Sequence, residues 1–599
     1  MLTGLIPPHQ STPFRPEGGD LLISYLEQIG VEYVFGVPGG AIEPLYNALA
    51  RSARRGGPRA VVARHETGAA FMADGYARES GGLGVCCATT GPGATNLITG
   101  VASAYQNHIP LLVITAQTAL PRFGQGALQE SSCTGVNIVG MFEHCTYYNS
   151  MVSHLSQLEP KLISAIMCAW RSRGPAHLSI PCDILRAHAP QTRAVCNLNN
   201  LLRVPALVDV DAIERLHRRL RQARKPVLLI GGGCSEAAGT ILDFARLINA
   251  PVLATPHGKG LVHPYHPCFK GVFGFAGHHS AQKILHDDSV DLVLAVGTVL
   301  GEWDSGGWDE QTILNQRLVH IDATPEYFSR SPMACLHVEG RILTVFERLV
   351  EYYKNREGYD DMTRVASYPP PQLSLDTTKW NSNAVPIKPQ RLMRELSHLF
   401  PFNTRFLVDA GNSLAWAIHY LHPCKRWRLD KRLPSAGQLH TAMEFASMGW
   451  AIGAAVGTAL AARDNPVVCI TGDGSFLMAG QEITVAIQER LSVIFVILND
   501  SAMGMVKHGQ RLTGSEPIGF ELPRVDYCAM AKAMGALAFK IHSPKDMANL
   551  DIPGLCRHPG PTLLDVRIDP VEIPPIGARV NVLRGGKSLP EAGVFCKLS

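Results

Sequence analysis

Two aspartates in the stretch 466–505, PVVCITGDGSFLMAGQEITVAIQERLSVIFVILNDSAMGM, are the residues best suited to chemistry. Asp473 and Asp500 stand 27 positions apart, each just after an apolar, β-branched run. Their carboxylates are hard oxygen ligands of the kind that Mg²⁺ takes in small number, completing its octahedron with water and phosphate oxygens. Gly472 and Gly474 let a backbone approach closely, and Ser475 beside a helix N-terminus offers donors to an anion. The set reads as an anchor for a metal-bound diphosphate. A lone Gly-Asp-Gly, however, favours a plainer reading as an ordinary turn in a buried parallel unit, because short motifs recur by chance.

The surrounding elements must bring the two acids together. The runs at 467–470 and 493–498 predict strands, and 479–490 predicts the helix between them. Strand, turn, helix and strand make a right-handed crossover, and ligands of open α/β sheets sit outside the carboxyl ends of the strands. Both polar breaks lie at such ends. Upstream the same alternation continues: a helix near 21–29, a strand at 33–36 and the turn VPGGA at 37–41. The run VVARHE at 61–66 precedes an Ala-rich helix over 67–78, so Glu66 falls at a strand-to-helix junction. By itself such an acid is ordinary helix-dipole chemistry. A strand at 85–89 feeds the loop TGPGATN, which lacks the Gly-Lys-Ser/Thr ending of a P-loop, and a strand follows at 111–116. Strands near 227–230, 252–255, 292–296 and 318–322 form another α/β unit, whose glycines at 231–233 lack dinucleotide spacing and read as a tight turn.

Composition narrows the class. A chain of 599 residues implies three to four domains. With 46% hydrophobic and 18% charged residues it is an ordinary globular protein with sizeable cores, and a net charge of +4 is too small to imply nucleic acid. The most basic segment, 214–225, carries Leu216 and Leu220 four apart and reads as an amphipathic helix with a solvated face. Fifteen cysteines form no C-x-x-C pair, and Cys86, Cys87 and Cys469 sit in apolar runs, which points to a reducing cytoplasm. No basic start followed by an apolar run opens the sequence, so no signal peptide is expected. The uncharged stretch 445–462 is long enough to weigh as a membrane span; its Gly and Ala content favours a buried core helix, and no membrane partner is expected.

Several of these segments together resemble one family. GDGS followed by Asn-Asp at this distance, with Gly504-Met505 after it, is similar to the thiamine diphosphate motif of the acetolactate synthase and pyruvate decarboxylase superfamily. RHETGAAFMADGYAR and TTGPGATNLITGVASAY resemble that family's pyrimidine-binding domain, while VDAGNS at 408–413 and FASMG at 445–449 resemble its diphosphate loop and wedge segment. The resemblance runs from about 20 to 570. It implies an α/β fold of three domains, each a doubly wound parallel sheet: a pyrimidine-binding domain over 20–189, a central domain over 206–352 and a diphosphate- and Mg-binding domain over 390–570. A tail at 1–19, a linker at 353–389 and a tail at 571–599, able to close over the site, complete the expected division.

The resemblance also assigns roles. Asp473, Asp500 and the Ala502 carbonyl would hold Mg²⁺, Asp500 replacing the family's commoner Asn. Asn412, Ser413, Ser475 and Gly504 would contact the diphosphate, with further cofactor contacts at Gly40, Pro92, Asn96, Gly411, Gly472, Gly474, Met503 and Met505. Met448 would wedge the cofactor into its bent form, Ala446 would offer a backbone carbonyl to the 4′-nitrogen, and Glu66 would bond N1′ of the aminopyrimidine. The implied reaction is decarboxylation of a 2-oxoacid followed by carboligation of the enamine to a second carbonyl, giving an acetolactate or acyloin. The segment 122–130 lacks the His-His pair of simple decarboxylases and places Gln129 where acetolactate synthases have the Gln of their GTDAFQE segment.

Two departures shape substrate and cofactor. FAD-dependent members carry Arg-Phe-Asp-Asp-Arg after the fourth central strand; the stretch here is VLGEWD at 299–304, which argues against FAD. Biosynthetic members place Trp five residues after the Gly of Gly-Met-Val, where this chain has Gly509, so larger or aromatic 2-oxoacid acceptors are expected. The family builds its site between two chains, so a homodimer or homotetramer is implied. A non-ligating decarboxylase, a sulfoacetaldehyde- or CoA-type relative and, from another class, a regulatory or scaffold descendant of such enzymes stand as alternatives.

Overall fold

The computed structural model describes residues 15–189, 196–354, 377–423 and 437–585. The chain divides into two compact units, one of residues 1–77 and 82–204, the other of 78–81 and 205–599. Three six-stranded sheets organise them, and every paired strand in all three is parallel. Parallel sheets are covered by helices on both faces, which is why their strands read as unbroken apolar runs.

The first unit holds β1 (Tyr33–Gly36), β2 (Arg59–Val62), β3 (Gly84–Ala88), β4 (Leu111–Gln117), β5 (Tyr148–Met151) and β6 (Pro175–Pro181), in the order β2-β1-β3-β4-β6-β5. The order reverses between β1 and β3, and the crevice at such a reversal is where α/β sheets take ligands. Two helices follow β2 and β3, Glu66–Ser80 and Pro92–Gln106. They cross so closely that a Cβ on Gly100 would overlap Ala70 Cβ.

The second unit carries two sheets. β7 (Pro226–Ile230), β8 (Val252–Ala254), β9 (Phe269–Val272), β10 (Leu292–Val296), β11 (Leu318–Asp322) and β12 (Leu336–Glu339) run in the order β12-β11-β10-β7-β8-β9. β13 (Arg405–Val408), β14 (Leu439–Thr441), β15 (Val467–Gly472), β16 (Val493–Asn499), β17 (Leu537–Ile541) and β18 (Thr562–Arg567) run β14-β13-β15-β16-β18-β17. In this last sheet the order reverses between β13 and β15. The basic segment forms the helix Val210–Gln222, which buries Ala212, Ile213, Leu216 and Leu220 and turns its arginines outward.

Several boundaries differ from expectation, each for a local reason. The helix expected over 479–490 begins instead at Asp473, runs to Ala479, passes through a 3₁₀ turn at Gly480–Glu482 and resumes as Ile483–Gln488. Gly472 is extended and caps it, so the polar Asp-Gly-Ser is the first helical turn, with an acid at the positive end of the dipole. The uncharged stretch 445–462 is helical only over Trp450–Ala461, because Gly449 adopts φ +85° and 445–449 form a loop. That helix lies across β13, β15 and β16, and among the described residues no helix is long and apolar enough to cross a membrane. Of the expected linker 353–389, positions 355–376 lie outside the described residues, and the described remainder includes a short helix, Thr377–Trp380. The C-terminal tail is described as far as Gly585 and forms the helix Gly577–Leu583; its expected closure over the site falls partly on residues 586–599, outside the described ones.

Gly100→Ala is expected to destabilise the first unit by about 1–3 kcal/mol, although Ala is the better helix former by about 1 kcal/mol. Chemical denaturation of the variant checks this; an unchanged or raised midpoint would show that the two helices have room to part.

Candidate functional site

In the first unit the acid-bearing loop is built around Glu66. It opens its helix after β2, is 8% exposed, and accepts a hydrogen bond at Oε2 from Asn96 Nδ2 at 3.0 Å. Thr67 Oγ1 donates to the Asn96 carbonyl at 2.5 Å, locking the two helix starts together. Oε1 faces Gly93, where a Cβ would sit 3.2 Å from it. Glycine at 93 therefore keeps that oxygen uncovered. Pro92 is exposed at the first turn of the second helix, and Gly91 takes φ +64° before it.

The other residues named in this unit gather at the same reversal of strand order. Gly39, next to the exposed Gly40, packs on Thr89, whose side chain would lie within 2.9 Å of a Cβ there. Gln129 sits at φ +58° beside Gly91, 3.0 Å from a Cβ built on that glycine. Its carbonyl accepts from Thr90 Oγ1 at 2.9 Å and Ser131 Oγ at 3.0 Å. Gln117, at the end of β4, accepts at Oε1 from Thr90 Oγ1 and from the Ser131 and Thr118 amides. This buried bracket of Gln117, Thr90 and Ser131 fixes the Gln129 loop. Sequence reasoning passed over it, although a fully buried Gln at a strand's carboxyl end was its signal.

In the second unit the two aspartates stand side by side because β15 and β16 pair in parallel with Gly472 opposite Leu498. Asp473 is 2% exposed; Oδ1 accepts from the Gly474 amide at 2.9 Å, while Oδ2 is buried without a hydrogen-bond partner. Burial, and then Asp500 beside it, push the Asp473 carboxyl up to about 7. Burial also raises Asp500, with Lys507 offsetting part of the rise. Two part-desolvated carboxylates this near each other disfavour carrying both charges at once, and a cation between them would relieve that. A Cβ on Gly504 would meet Asn412 Nδ2 at 2.5 Å and Asp500 Oδ2 at 3.1 Å, so Asn412 and Asp500 converge there. Asn412 Oδ1 is likewise buried and unpartnered. Orphaned oxygens, paired acids and a cradle closed to any side chain suit a divalent cation with an anionic group on it.

The walls of this pocket are well determined. Gly411 reaches φ +100° at the end of β13, and the Ser413 hydroxyl donates to the Asp409 carbonyl at 2.9 Å. Ser475 is buried in the first turn of its helix, and Met503 Sδ would lie 2.6 Å from a Cβ on Gly474. The loop after β16 turns at Ser501, φ +56°, and pairs with 520–522 through Met503 N–H and the Ser501 carbonyl, on either side of Ala502. Arg567 donates to Asn499 Oδ1 at 3.0 Å and Ser501 Oγ at 3.1 Å, bracing that loop, and Tyr527 donates to the Asp473 carbonyl at 3.4 Å. Met505 is half-buried one residue beyond Gly504. His508, in the same helix, is buried and pushed down to about 4, and Lys507 donates to the Pro570 carbonyl.

Asp409 is the residue that sequence reasoning undervalued. It is fully buried and accepts from the Gly449 amide at 2.9 Å, the Ala451 amide at 3.4 Å and Thr471 Oγ1 at 2.9 Å. One carboxylate thus joins the ends of β13 and β15 to the helix that starts at Trp450. Ahead of that helix, Ala446 is held at φ +53°, and Phe445 and Met448 are exposed at 44% and 38%. Among the described residues one further cluster, Asp526, Cys528 and Asp565, has metal-ligand spacing. Its acids are already engaged by Lys540 at 2.8 Å and Asn499 at 2.7 Å.

Comparison with known proteins agrees along the chain. Family models match the N-terminal thiamine pyrophosphate binding domain over residues 16–137, the central domain of thiamine pyrophosphate enzymes over 213–349 and their C-terminal thiamine pyrophosphate binding domain over 409–566. The acetolactate synthase isozyme 2 large subunit of Escherichia coli is 30% identical over 562 residues, covering 93% of this chain and 96% of that one. The acetolactate synthase of Arthrospira platensis is 30% identical over 582 residues, covering 92% and 94%. The E. coli isozyme 1 large subunit is 28% identical over 587 residues, covering 96% and 98%.

Burial lifts the Asp409 carboxyl to about 6, against hydrogen bonds that act the other way. The folded chain therefore holds this proton more tightly than the unfolded one. The group favours folding at acidic pH, and that contribution is lost as pH climbs from the unfolded value near 3.8 through about 6. Asp409→Asn is expected to remove this part of the pH dependence. Denaturant midpoints measured from pH 3.5 to pH 7 check it; identical slopes in both proteins would refute the assignment.

Proposed function

The chain belongs to the acetolactate synthase-like family of thiamine pyrophosphate enzymes, and from that premise we propose that it decarboxylates a 2-oxoacid and joins the remaining acyl unit to a second, bulkier carbonyl compound, with Mg²⁺ as the metal. The observation that carries the metal assignment is the buried, unpartnered Asp473 Oδ2 beside the raised carboxyl of Asp500.

In this reading Asp473, Asp500 and the Ala502 carbonyl hold Mg²⁺. Asn412, Ser413, Ser475, Gly411, Gly472, Gly474, Gly504, Met503 and Met505 form the cradle for the diphosphate, while Gly40, Pro92 and Asn96 serve the other end of the coenzyme. Thiamine diphosphate, when bound, supplies a carbon nucleophile and an electron sink for loss of carbon dioxide. With Oε2 taken by Asn96, Glu66 has Oε1 left to share a proton with N1′ of the aminopyrimidine. Met448 supplies the apolar wedge, and the left-handed turn at Ala446 sets the direction of its carbonyl. Gln129, bracketed by Thr90 and Ser131, stands at the reacting carbonyl.

The acceptor preference rests on Gly509. It lies within the helix Gly504–Thr513, and a Cβ built there meets nothing within 4 Å. A Trp in that space would fill on the order of 150–250 Å² of surface; without it the volume serves a larger substrate. FAD has no part in this proposal: in the 299–304 stretch Asp304 is bonded to His257 and Thr298, and Glu302 is paired with Arg579. The enzyme works in the cytoplasm as a homodimer or homotetramer, with Glu66 of one chain serving the metal half of its partner.

Three outcomes are expected. Glu66→Gln should lower kcat by roughly 10²–10⁴-fold with ThDP still bound; turnover equal to wild type would end this reading. Product analysis with pyruvate alone and with pyruvate plus phenylpyruvate should show mixed carboligation products. Gly509→Trp should depress kcat/KM for the aromatic acceptor far more than for pyruvate, and acetaldehyde as the sole product would favour a simple decarboxylase instead.

A further inference from the structure

The segment 445–449 has a carboxylate at each end, and the nearer one meets a side chain of the central domain. At its far end Asp409 accepts the Gly449 and Ala451 amides. At its near end stands Glu444, whose Oε1 lies 3.4 Å from His257 Nε2. His257 follows β8 in the central domain, and its Nδ1 is 2.8 Å from Asp304 Oδ1, in the loop after β10. Asp304 is 1% exposed and takes the Thr298 hydroxyl on Oδ2 at 2.7 Å. The three side chains form a line, carboxylate, imidazole, carboxylate, running from the central sheet to the residue that precedes Phe445.

The charges fit a clamp. Burial opposes ionisation of Asp304, but His257 and Thr298 outweigh it and hold the acid below its ordinary range. Burial likewise opposes charge on His257, and Asp304 and Glu444 overcome it, raising the imidazole. Glu444 is raised by burial, with His257 and Arg330 pulling it down and Asp304 and Glu302 pushing it up. Of the other charges facing the group, Glu302 is engaged at both oxygens by Arg579, at 2.6 and 2.7 Å. Arg330 flanks Gly301 opposite Glu444, and Arg78 bears on His257 while donating to the Thr441 carbonyl at 2.9 Å. With Nδ1 committed to Asp304, Nε2 is the ring nitrogen that faces Glu444, an ion-pair approach at 3.4 Å without a hydrogen bond.

We propose that Asp304, His257 and Glu444 form a positioning relay through which the central domain fixes the entry to segment 445–449, and so sets where the Ala446 carbonyl and the Met448 side chain stand. This rests on the reading of that segment as the coenzyme wedge. The relay is complete only while Glu444 is ionised and His257 protonated. It weakens when acid protonates Glu444 and again when alkali removes the Nε2 proton. None of the three touches the reacting atoms; they act through Ala446 and Met448.

The test uses the full-length protein with ThDP and Mg²⁺, comparing wild type with His257→Gln, Glu444→Gln and the double variant. Two quantities are measured across pH: the dissociation constant of ThDP by calorimetry and the rate of hydron exchange at C2 of the bound coenzyme. Each single variant is expected to slow exchange roughly tenfold or more, to lose the alkaline limb expected of wild type, and to leave the KM for 2-oxoacid, measured alongside, within about twofold. The double variant is expected to be no slower than the worse single one, because the residues act as one unit. Exchange rates within twofold of wild type, or effects that multiply in the double variant, would overturn the relay. If His257→Gln folds poorly, Asp304→Asn keeps the shape and is read by the same criteria. Wild type that fails to bind ThDP would instead overturn the proposed function.

Discussion

Two carboxylates kept out of water beside one another are the constraint around which the second unit is arranged. Asp473 and Asp500 follow neighbouring parallel strands, and the register of β15 on β16 brings those strand ends side by side. Burial and mutual repulsion make that costly in the absence of a compensating charge. The neighbourhood answers with donors and small residues: the Gly474 amide on one oxygen, Asn412 against Gly504, and glycine wherever a side chain would fill the gap. A fold that already holds such a pair together meets part of the organisational cost that binding a divalent cation would carry.

The first unit solves a different problem with the same architecture. It too reverses strand order near its centre, between β1 and β3, and it gathers turns at the carboxyl ends of the strands. There a single acid, Glu66, opens the helix that follows β2. Asn96 takes one oxygen of Glu66, Gly93 leaves the other bare, and the hydroxyls of Thr90 and Ser131 are occupied with backbone and Gln117. One sheet thus gathers two carboxylates beyond its strand ends, the other a single one with one oxygen bonded to Asn96.

Much of this was legible in the residues. The runs VVCI and VIFVIL read as strands because both faces of a parallel sheet are covered, and the polar residues after them read as site because strands end where ligands bind. Boundaries were harder. Asp-Gly-Ser looked like a loop and is a helix start, since an extended Gly472 places the acid inside the first turn. Short edge strands such as Tyr148–Met151 and Leu439–Thr441 carry no apolar run long enough to announce them. Asp409 was visible only as one letter in a loop; its bonds to Gly449 and Thr471 join residues 40 and 62 positions away, which no local pattern encodes. The line from Asp304 to Glu444 was hidden for the same reason, being assembled from three distant loops.

Ala446 has one more consequence. It holds a left-handed conformation, φ +53°, that disfavours any residue with a β-carbon, at roughly 1–2 kcal/mol. Glycine would relieve this at once and make the chain easier to fold. It would also widen the backbone conformations open to residue 446, so that the alanine, once folded, holds the direction of its carbonyl more narrowly than glycine could.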